Sequence, residues 1–537
     1  MTTSTTVAEA LAQAMAEAGV ARIYGVPGGG SSLDVIEAAA RLGIAFTLAK
    51  SENAAVMMAG ALAESTGRLG VALMTKGPGV ANAANGVSYA SLDRAPVLIV
   101  TDGFTDVQRS YITHQVFDQR AMLAPVVKGH SLLADEHAGE DIRRLIALAC
   151  TPPYGPVHLE LTGAAARQPA RLPPPCAPSA PRAGELRIAQ AVELLRRARR
   201  PVIVVGLEAR RAATEVRAFA EALRCPVLPT YKGKGVLPDR HPQVTGVFTG
   251  GAQEQACVRK ADLIVLVGMD PVELILQPWP YDIPVLDIGV AAYPVHYVEP
   301  AISVSGDLGP NLAALAARAL PASHWEPGEI AALRQEMQRT LAYGPVARGV
   351  APDRLVQITA EACAAAGWRP RMSVDAGAHM FSATAFFPCE EPGDCLISNG
   401  LATMAFGVPA AIAAALEDPA RPVVCFTGDG GLMMCMGELC TAVDAGARIL
   451  VLVFNDGALS LIDIKQQSRK LPTRGVRWGG HDFAQVMRGA GGAGFRARSE
   501  EELLAALREA IAADGPALID VEIDPSGYVQ QLKAMRG

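Results

Sequence analysis

Two short runs near the C-terminal end of the chain carry residue types that bind phosphate and a divalent cation. They are the Gly-Asp-Gly run 428–430 and the Asn-Asp-Gly run 455–457. Glycines let the backbone approach phosphate oxygens closely. Asp429 and the amide oxygen of Asn455 are hard ligands that suit Mg2+, and Gly457 can add a backbone carbonyl. The runs therefore predict a cradle that holds a diphosphate through a metal ion. Its glycines would be Gly428, Gly430 and Gly431.

Each run stands where a buried strand is expected to end. The apolar segments 422–427 and 449–454 precede them, and residues 432–445 have a helical pattern. A lone Gly-Asp-Gly occurs in many tight turns, but strand, glycine turn, helix and second strand in this order form one crossover unit. With this spacing the chain resembles the thiamin diphosphate (ThDP) enzymes, and within them the acetolactate synthase-like branch. Their signature is Gly-Asp-Gly followed after about two dozen residues by Asn.

A glutamate near the N-terminus is the second anchor of this resemblance. Glu52 opens a predicted helix that runs to Ala63, and the glycine-rich run 24–30 follows a strand around Arg22. The resemblance implies that Glu52 hydrogen-bonds the aminopyrimidine ring of ThDP and so lets the cofactor lose its thiazolium C2 proton. The apolar residues 54–58 favour a carboxyl group that exchanges a proton in this way. Taken alone, a glutamate at a helix start is better explained by the helix dipole.

The run 399–409 resembles the family segment Gly-Leu-Gly-Thr-Met-Gly-Phe-Gly-Leu-Pro. In that segment a bulky apolar side chain wedges beneath the cofactor and bends it into a V shape. Met404 has this place, and Ala402 lies beside it. A methionine considered alone more often fills a core, so the assignment depends on the flanking residues.

Two further segments resemble parts of the cofactor pocket. The Thr-Lys-Gly-Pro-Gly turn 75–79, with Asn82 after it, is similar to a family turn beside the pocket, and is also an ordinary strand-to-helix turn. The run 375–379 lies where the related enzymes contact the diphosphate. His379 is therefore expected to contact the diphosphate, the alternative being a helix cap.

The substrate side of the pocket departs from the acetolactate synthase pattern. Leu461 and Ile462 belong to a segment that resembles the family helix Tyr-Gly-Leu-Ile-x-Trp-Lys-Gln, but Ile464 replaces its tryptophan. Gly28 and Gly29 leave space where larger side chains would narrow the site. The sequence therefore predicts a roomy acceptor pocket.

The run 113–119 aligns with the active-site Phe-Gln of the family by counting back from the run 125–128. Gln115 matches, whereas His114 replaces phenylalanine, and the His-Gln pair resembles benzaldehyde lyase and related carboligases. A histidine can shuttle a proton to an alkoxide, because its pKa lies close to working pH. An exposed loop histidine without a catalytic role is an equal alternative.

Composition limits the other functions. The chain has 537 residues, is half apolar and carries a net charge of −6, which predicts several globular domains and no nucleic-acid partner. No basic and apolar leader begins the chain, and no apolar stretch reaches about 20 residues, so we expect a cytoplasmic protein without a membrane segment.

Cysteine and histidine spacing does not predict a metal centre built from these residues. The ten cysteines are scattered without a Cys-x-x-Cys pair, and several lie in apolar runs, which indicates reduced core residues. The nine histidines show no His-Glu-x-x-His spacing. We therefore expect neither zinc nor iron.

Strand-like and helical runs alternate along the whole chain, which predicts an α/β protein of three Rossmann-like, doubly wound parallel-sheet domains. A proline-rich linker at 168–184 separates a pyrimidine-binding domain, 1–167, from a central domain, 185–345, and the diphosphate-binding domain follows at 346–537. The resemblance implies that the first and third domains meet across a subunit boundary, in a homodimer or homotetramer.

The central domain is the place where many of the resembling synthases carry FAD. After Val267-Gly268 this chain lacks the Arg-Phe-Asp-Asp run of the flavin-binding members, and no Gly-x-Gly-x-x-Gly follows the first strand of the domain. FAD is therefore doubtful. The same missing fingerprint argues against a dehydrogenase.

The resemblance implies a ThDP- and Mg2+-dependent enzyme that acts on 2-oxo acids, with acetolactate synthase-like carboligation as the leading reaction. A 2-oxo acid decarboxylase and a benzaldehyde lyase-type enzyme would use the same anchors. A catalytically silent regulatory homologue is the alternative of a different class. It would be expected to lose Glu52, Asp429 or Asn455, and this chain retains all three.

Overall fold

Three parallel β-sheets form the framework of the chain. The computed structural model describes residues 5–133, 137–175, 182–274, 278–293, 298–318 and 320–536. Within these residues the sheets have six, five and six strands, and every strand pair in them is parallel. Helices connect the strands, which confirms the predicted α/β fold of three parallel-sheet domains.

The strands are β1 (Arg22–Val26), β2 (Ala45–Leu48), β3 (Gly70–Met74), β4 (Val97–Asp102), β5 (His130–Leu133), β6 (Val157–Leu161), β7 (Pro201–Val205), β8 (Val227–Pro229), β9 (Leu263–Val267), β10 (Val285–Gly289), β11 (Ile302–Ser305), β12 (Arg371–Val374), β13 (Cys395–Ile397), β14 (Val423–Gly428), β15 (Ile449–Asn455), β16 (Ala493–Ala497) and β17 (Ala517–Glu522).

The helices are α1 (Val7–Glu17), α2 (Ser31–Arg41), α3 (Glu52–Thr66), α4 (Pro78–Leu92), α5 (Asp106–Arg109), α6 (Gln119–Leu123), α7 (Ala138–Ala149), α8 (Glu185–Arg197), α9 (Ala213–Leu223), α10 (Gln255–Val258), α11 (Leu308–Ala316), α12 (Pro327–Leu341), α13 (Pro352–Ala365), α14 (His379–Phe386), α15 (Gly407–Glu417), α16 (Asp429–Cys435), α17 (Glu438–Asp444), α18 (Ser460–Ser468), α19 (Phe483–Gly489), α20 (Glu500–Ala512) and α21 (Tyr528–Arg536).

The strand order reverses direction once in each sheet. The orders are β2-β1-β3-β4-β6-β5, β11-β10-β9-β7-β8 and β13-β12-β14-β15-β17-β16. In each sheet the chain runs from the first strand outward to the second and then returns to the other side of the first. The reversals therefore lie between β1 and β3, between β7 and β9, and between β12 and β14. Ligands of open α/β sheets bind at the carboxyl ends of the strands at such reversals.

Apolar runs form the central strands because both faces of these sheets are covered. Every residue of β3, β4, β7 and β9 is buried, which explains why these strands read as continuous hydrophobic runs rather than alternating ones. Separate hydrophobic cores pack around the first, second and third sheets.

The chain packs into two compact units. One contains Met1–Ser179 with Gly400–Pro419 and Met434–Arg448, and the other contains Ala180–Asn399 with Ala420–Met433 and Ile449–Gly537. The first unit holds the first sheet, and the second unit holds the other two. The predicted domain limits remain predictions, and part of the predicted linker 168–184 lies outside the described residues.

The helix predicted over 432–445 is interrupted. The structure has α16 over Asp429–Cys435 and α17 over Glu438–Asp444, separated at Gly437. A Cβ atom at Gly437 would lie 3.3 Å from the Cβ of Lys50, so the glycine permits a close approach that a regular helical side chain would hinder. No helix among the described residues has the length and apolar character needed to cross a lipid bilayer.

Candidate functional site

The carboxyl ends of β14 and β15 bring the two anchor runs of the third sheet side by side. Gly428 is the last residue of β14 and pairs with Phe454, and Asn455 ends β15. Asp429 follows Gly428 directly as the first residue of α16, so no loop residue separates strand from helix. The sheet register thus places Asp429 and Asn455 at one edge.

Asp429 is held by backbone N–H groups from both runs. It is 2% exposed, and its Oδ2 accepts the N–H of Gly457 at 2.8 Å while its Oδ1 accepts that of Gly430 at 2.8 Å. Burial, and secondarily the charge of Asp456, raises the pKa of Asp429 to about 7. A cation beside this carboxyl would offset both effects.

Asn455 is oriented by groups that occupy its amide nitrogen. The Nδ2 donates to Oδ1 of Asp520 at 2.8 Å and to the carbonyl of His481 at 3.3 Å. With the nitrogen engaged, the amide oxygen is the atom left for a ligand. Asp520 lies on β17, where it pairs with Val453 of β15. No motif in the sequence pointed to this residue. The only signal was a carboxylate inside the apolar run 517–521.

His379 lies at the strand reversal of the third sheet, next to Gly428. It begins α14, and a Cβ atom on Gly428 would lie 3.2 Å from its Nδ1. Its ring also lies 5.4 Å from that of Phe454. The side chain is buried, its Nε2 has no hydrogen-bond partner among the described residues, and burial lowers its pKa to about 4. A neutral imidazole with an unsatisfied buried nitrogen calls for a partner that the protein does not supply.

The glycines of this edge are required by close approaches within the protein. A Cβ atom on Gly431 would lie 2.2 Å from Oδ2 of Asp375, the buried residue that follows β12. Asp375 in turn accepts the hydroxyl of Thr427 at 3.0 Å.

The residues present at this edge therefore fit a metal and a diphosphate: two oxygen ligands, glycine-lined backbone and an unsatisfied histidine nitrogen.

Glu52 lies in the other compact unit, as the first residue of α3. It is half-buried, and the Nδ2 of Asn82 on α4 donates to its Oε2 at 2.6 Å. A Cβ atom at Gly79 would lie 3.3 Å from Glu52 Oε1, so Gly79 leaves that oxygen room. The structure thus brings together Glu52 and Asn82, two residues that the sequence analysis named separately.

The segment that carries Met404 is tied to α4 in the same unit. The Nδ2 of Asn85 donates to the hydroxyl of Thr403 at 2.9 Å, and Met404 is half-buried. Ala402 and Ala405 have positive φ angles of 54° and 70°. The segment that this run resembles has glycine at both positions, and glycine adopts such angles without strain.

Gly28 lies at the strand reversal of the first sheet. A Cβ atom there would lie 2.3 Å from Asp102 Oδ2 and 2.4 Å from Thr75 Oγ1, whereas one on Gly29 would meet nothing within 4 Å. Asp102 also accepts the N–H of Ser32 at 2.9 Å. Packing within the protein therefore already explains Gly28, and Gly29 borders open space.

His114 and Gln115 lie in an exposed loop between α5 and α6. Gln115 has a φ of 60°, and a Cβ atom on Gly77 would lie 2.7 Å from its carbonyl oxygen. The buried Gln119 fixes this loop, because its Oε1 accepts the N–H of Gly77 at 3.3 Å and its Nε2 donates to the carbonyl of Asp102 at 3.1 Å. In the sequence, Gln119 is only the last residue of the run 113–119, and no motif indicates its role.

The two predicted pocket residues on α18 differ in how far their side chains are exposed. Leu461 packs against the hydrophobic core of the third sheet, and Ile462 is 43% exposed. Ile462 is therefore the more exposed of the two. No group of three or more His, Cys, Asp or Glu side chains among the described residues could hold a metal ion.

Family comparison covers all three sheets. The chain matches the thiamine pyrophosphate enzyme N-terminal TPP binding domain over residues 5–122, the central domain over 188–315 and the C-terminal TPP binding domain over 375–521. The chain belongs to the thiamine pyrophosphate enzymes. Thiamine pyrophosphate is ThDP, so the predicted family is confirmed.

Relatives of this ThDP enzyme are similar over nearly their whole length. An acetolactate synthase of Bacillus subtilis is 27% identical over 97% of this chain and 94% of its own. The large subunit of acetolactate synthase isozyme 1 from Escherichia coli is 27% identical over 97% and 95%. A probable 2-ketoarginine decarboxylase of Pseudomonas aeruginosa is 28% identical over 96% and 94%. The chain is thus a ThDP-dependent enzyme of the carboligase and decarboxylase group.

The middle sheet of this ThDP enzyme has a different edge. At the reversal between β7 and β9, Oε2 of Glu273 accepts the N–H groups of Leu207 at 2.8 Å and Asp270 at 3.1 Å, and its Oε1 accepts the hydroxyl of Thr230 at 2.5 Å. Burial raises the pKa of Glu273 to about 7. A side chain of the protein therefore satisfies two backbone N–H groups at this edge.

Glu208 closes the neighbouring part of the same edge. Its Oε2 accepts the N–H of Val290 at 2.9 Å, and its Oε1 accepts the hydroxyl of Tyr293. Glu208 is 7% exposed, and burial raises its pKa to about 7. Two carboxyl groups of the chain thus accept backbone N–H groups at this edge.

Proposed function

We propose that this enzyme uses ThDP and Mg2+ to join carbon–carbon bonds between 2-oxo acids, as an acetolactate synthase-like carboligase. The observation that carries the proposal is the edge of the third sheet, where Asp429 and Asn455 present oxygen ligands. The unsatisfied Nε2 of His379 lies beside the same turn. Similarity to acetolactate synthases over nearly the whole chain supports the choice of reaction.

The proposed metal ligands are Asp429, the amide oxygen of Asn455 and the carbonyl of Gly457. Asp520 keeps Asn455 turned so that oxygen rather than nitrogen is available. The diphosphate would lie against Gly428, Gly430 and Gly431, with the ring of His379 beside it. These roles use the short approach of backbone to ligand that glycine permits.

Bound ThDP would supply a carbon nucleophile and an electron sink for decarboxylation. Glu52 would exchange a proton with the pyrimidine ring through Oε1, because Asn82 already occupies Oε2. Met404, flanked by Ala402, would support the bent cofactor from below. Ile462 and Leu461 would border the substrate.

His114 and Gln115 are proposed to handle the proton on the substrate oxygen during addition to the second carbonyl. Both are exposed and lie on a loop that Gln119 fixes to the turn 75–79. Gly28 and Gly29 would leave the acceptor side open. An exposed His114 is in reach of solvent protons, which suits a general acid.

A 2-oxo acid decarboxylase is the second candidate. A probable 2-ketoarginine decarboxylase is 28% identical over 96% of this chain, which is about the identity that the acetolactate synthases show. The two reactions share Glu52 and the metal ligands. They differ in whether a proton or a second carbonyl compound is added after carbon dioxide leaves.

Product analysis with a panel of 2-oxo acids separates these candidates. The enzyme is incubated with ThDP, Mg2+ and single or paired 2-oxo acids and aldehydes, and carbon dioxide and hydroxyketones are measured. Hydroxyketone formation supports the carboligase, carbon dioxide with aldehyde supports the decarboxylase, and aldehyde release from added hydroxyketones supports a lyase. Absence of all three products would contradict the proposal.

Glu52→Gln tests the proton exchange. We expect turnover to fall by about 100- to 10,000-fold, the usual contribution of a proton-transfer group, with ThDP affinity retained. Asn82→Ala is the matched variant for the neighbouring position, since it removes the N–H donor to Glu52 without adding a charge, and it should lower turnover far less. Full activity of Glu52→Gln would refute this role.

We further propose a homodimer or homotetramer in which Glu52 of one chain completes the site of another. Large apolar side chains are exposed near Glu52 in the first unit: Leu48 is 51% exposed, Met434 61% and Met436 37%. Glu438 accepts the N–H of Lys50 at 3.0 Å, which ties these segments together. Exposed apolar groups in one region favour contact with a partner.

Complementation between two inactive variants tests the shared site. Coexpressed Glu52→Gln and Asp429→Ala chains would form mixed dimers, and random pairing should restore about a quarter of the sites. Mixing two samples of the same variant is the control. No recovery in verified mixed dimers would contradict a site shared between chains.

We propose that the enzyme is cytoplasmic and binds no FAD. No disulfide joins the nine cysteines that the structure describes, which suits a reducing compartment. Glu273 and Glu208 fill the edge at which a dinucleotide would bind. A flavin absorption band in the purified protein would overturn the second statement.

A further inference from the structure

A fully buried carboxylate, Glu160, lies in the first sheet close to the point where the chain leaves it for His114 and Gln115. Glu160 is on β6 and pairs with Thr101 of β4. β4 ends one residue later, and the segment 103–120 follows it directly. This segment contains α5, the loop with His114 and Gln115, and the start of α6. All of these residues belong to the first compact unit.

Three side chains of the segment 103–120 converge on Glu160. The Nη2 of Arg109, at the end of α5, lies 3.3 Å from Oε1 and 3.2 Å from Oε2. The Nε of Arg120, on α6, lies 3.2 Å from Oε2. The Nε2 of Gln119 donates to Oε1. Since Arg109 precedes the exposed loop and Arg120 follows it, one carboxylate holds both ends.

These contacts are shielded from solvent. The side chains of Arg109 and Arg120 are 19% and 26% exposed, and that of Glu160 is 0% exposed. Burial raises the pKa of Glu160, while Gln119 and the two guanidinium groups act against that rise. Removing one partner of a buried ion pair leaves an uncompensated charge, so the carboxylate and the two arginines depend on each other.

The backbone at Gln115 needs support of this kind. Its φ of 60° lies in the left-handed region, which a residue other than glycine occupies at a cost. The carbonyl oxygen of Gln115 would lie 2.7 Å from a Cβ atom on Gly77, so the loop passes close to the turn 75–79. Such a conformation persists only where the surrounding contacts fix it. Glu160 provides fixed contacts at both ends of the loop.

We propose that Glu160 is a positioning residue that holds His114 and Gln115 in place for addition to the second carbonyl. It acts through Arg109 and Arg120, because its own side chain is buried. The inference rests on the proposed function, in which His114 and Gln115 handle the proton on the substrate oxygen in that step. Loss of Glu160 should therefore slow addition more than the decarboxylation that precedes it.

The ratio of products formed by Glu160→Gln tests this role. The ThDP- and Mg2+-loaded enzyme is given pyruvate or, if pyruvate is inert, the 2-oxo acid that wild type converts fastest, and carbon dioxide, aldehyde and hydroxyketone are measured. We expect the ratio of hydroxyketone to carbon dioxide to fall by about tenfold or more, since small misplacements of reacting groups cost this much. Aldehyde, formed when a proton is added instead of the second carbonyl compound, should replace the missing hydroxyketone. A merely structural role would lower all products together and leave the ratio unchanged.

Matched variants show whether the effect passes through the loop. Arg109→Gln, which releases only the α5 end, should change the ratio in the same direction, and it keeps the inference testable if Glu160→Gln does not fold. Arg41→Gln on α2 removes a surface ion pair with Glu37 and should leave the ratio as in wild type. In a chain that already carries alanine at 114 and 115, adding Glu160→Gln should not lower the ratio further.

Hydrogen exchange gives a readout that does not depend on the reaction. The N–H of Arg109 donates to the carbonyl of Thr105 at 3.0 Å, and that of Ile112 to the carbonyl of Gln108 at 2.9 Å. Exchange of these groups should be faster by about tenfold or more in Glu160→Gln, because the segment opens more often. Exchange in α1 of the same unit should not change, which shows that the variant is folded.

Two results would overturn the inference. They are an unchanged product ratio in Glu160→Gln when wild type forms hydroxyketone, and unchanged exchange in the segment 103–120. A wild-type enzyme that forms no hydroxyketone would instead overturn the proposed function, and with it the role of Glu160 in addition. The exchange measurement would then still decide whether Glu160 holds the segment, so the two failures are distinct.

Discussion

The edges of the middle and third sheets have the same strand topology, but they differ in whether the protein itself satisfies the buried polar groups there. Each lies where the strand order reverses, between β7 and β9 in one sheet and between β12 and β14 in the other. At the middle edge Glu273 accepts two backbone N–H groups and a hydroxyl. At the third edge the Nε2 of His379 has no hydrogen-bond partner in the part of the chain that the structure describes. Topology therefore locates a possible site, and side chains decide whether it is open.

The difference has a simple physical basis. A buried N–H group needs an acceptor, which is supplied either by the protein or by a ligand. At the middle edge Glu273 supplies it from within the chain, and a diphosphate would have to displace a carboxylate. At the third edge Asp429 also accepts two backbone N–H groups, but the Nε2 of the buried His379 has no hydrogen-bond partner among the described residues. The closed edge thus serves stability, and the open edge is suited to binding.

The largest expected effect is the loss of cofactor affinity in Asp429→Ala. Mutation of a residue that hydrogen-bonds a metal ligand typically lowers metal affinity by about 10- to 100-fold. Loss of the ligand itself should therefore weaken Mg2+-dependent ThDP binding by more than about 100-fold. Glu273→Gln at the closed edge is the matched control and should bind ThDP normally. Cofactor titration measures both. Equal ThDP affinity in wild type and Asp429→Ala would contradict the proposed difference in cofactor binding between the two edges.

Glu273→Ala should destabilise the middle domain rather than affect the cofactor. The N–H groups of Leu207 and Asp270 and the hydroxyl of Thr230 would lose their common acceptor. At about 1–3 kcal/mol for each unsatisfied buried group, partly relieved by water, the free energy of unfolding should fall by about 2–4 kcal/mol. Denaturant unfolding measures this, and Glu273→Gln, which keeps one oxygen, should lose less. A stability equal to wild type would mean that the edge is open to solvent.

Proton binding by Asp429 should make the open edge pH-dependent. Its pKa is raised from 3.8 to about 7, chiefly by burial. In the metal-free protein this raised pKa contributes stability that is fully present below about pH 4 and is lost as the pH rises through about 7. Mg2+ binds the deprotonated form, so its affinity should fall about tenfold for each pH unit below about 7.

Mg2+ titrations of wild type and Asp429→Asn between pH 5 and 8 test this dependence, because this range of about three pH units spans the pKa of the carboxyl. Asp429→Asn has no carboxyl to titrate and should show weak binding that is nearly independent of pH. A wild-type affinity that stays constant across the range would contradict the assignment of Asp429 as the ligand.

Much of this framework could be predicted from local patterns. The strands β14 and β15 were predicted as apolar runs because parallel strands are buried on both faces, and the predicted helix start at Glu52 is confirmed. Glycine-rich turns marked two of the three strand reversals. Local sequence is sufficient there because the signal and its structural consequence lie within a few residues.

Contacts between distant residues could not be predicted in this way. Asp520 orients Asn455 from 65 positions away, and Glu273 reaches Leu207 across 66. Gly437, at the break between α16 and α17, lies close to Lys50, which belongs to another part of the chain. Such contacts depend on the assembled sheets, so a residue pattern alone does not reveal which edge is open. The roles of the named site residues remain predictions.

The smallest expected effect concerns backbone conformation near the predicted cofactor wedge. Gly268 at the middle edge and Gly457 at the third edge have positive φ angles of 60° and 68°, which suit glycine, whereas Ala402 adopts 54° with a side chain. Ala402→Gly should relieve strain and raise the free energy of unfolding by about 0.5–1 kcal/mol, after the greater flexibility of glycine in the unfolded chain is subtracted. Ala332→Gly, at an exposed position inside α12, should lower it by about the same amount. Thermal unfolding of both variants measures the two signs. If Ala402→Gly destabilises the protein as much as Ala332→Gly does, then contacts of the Ala402 methyl group outweigh the backbone strain, and the segment is better packed than its φ angles indicate.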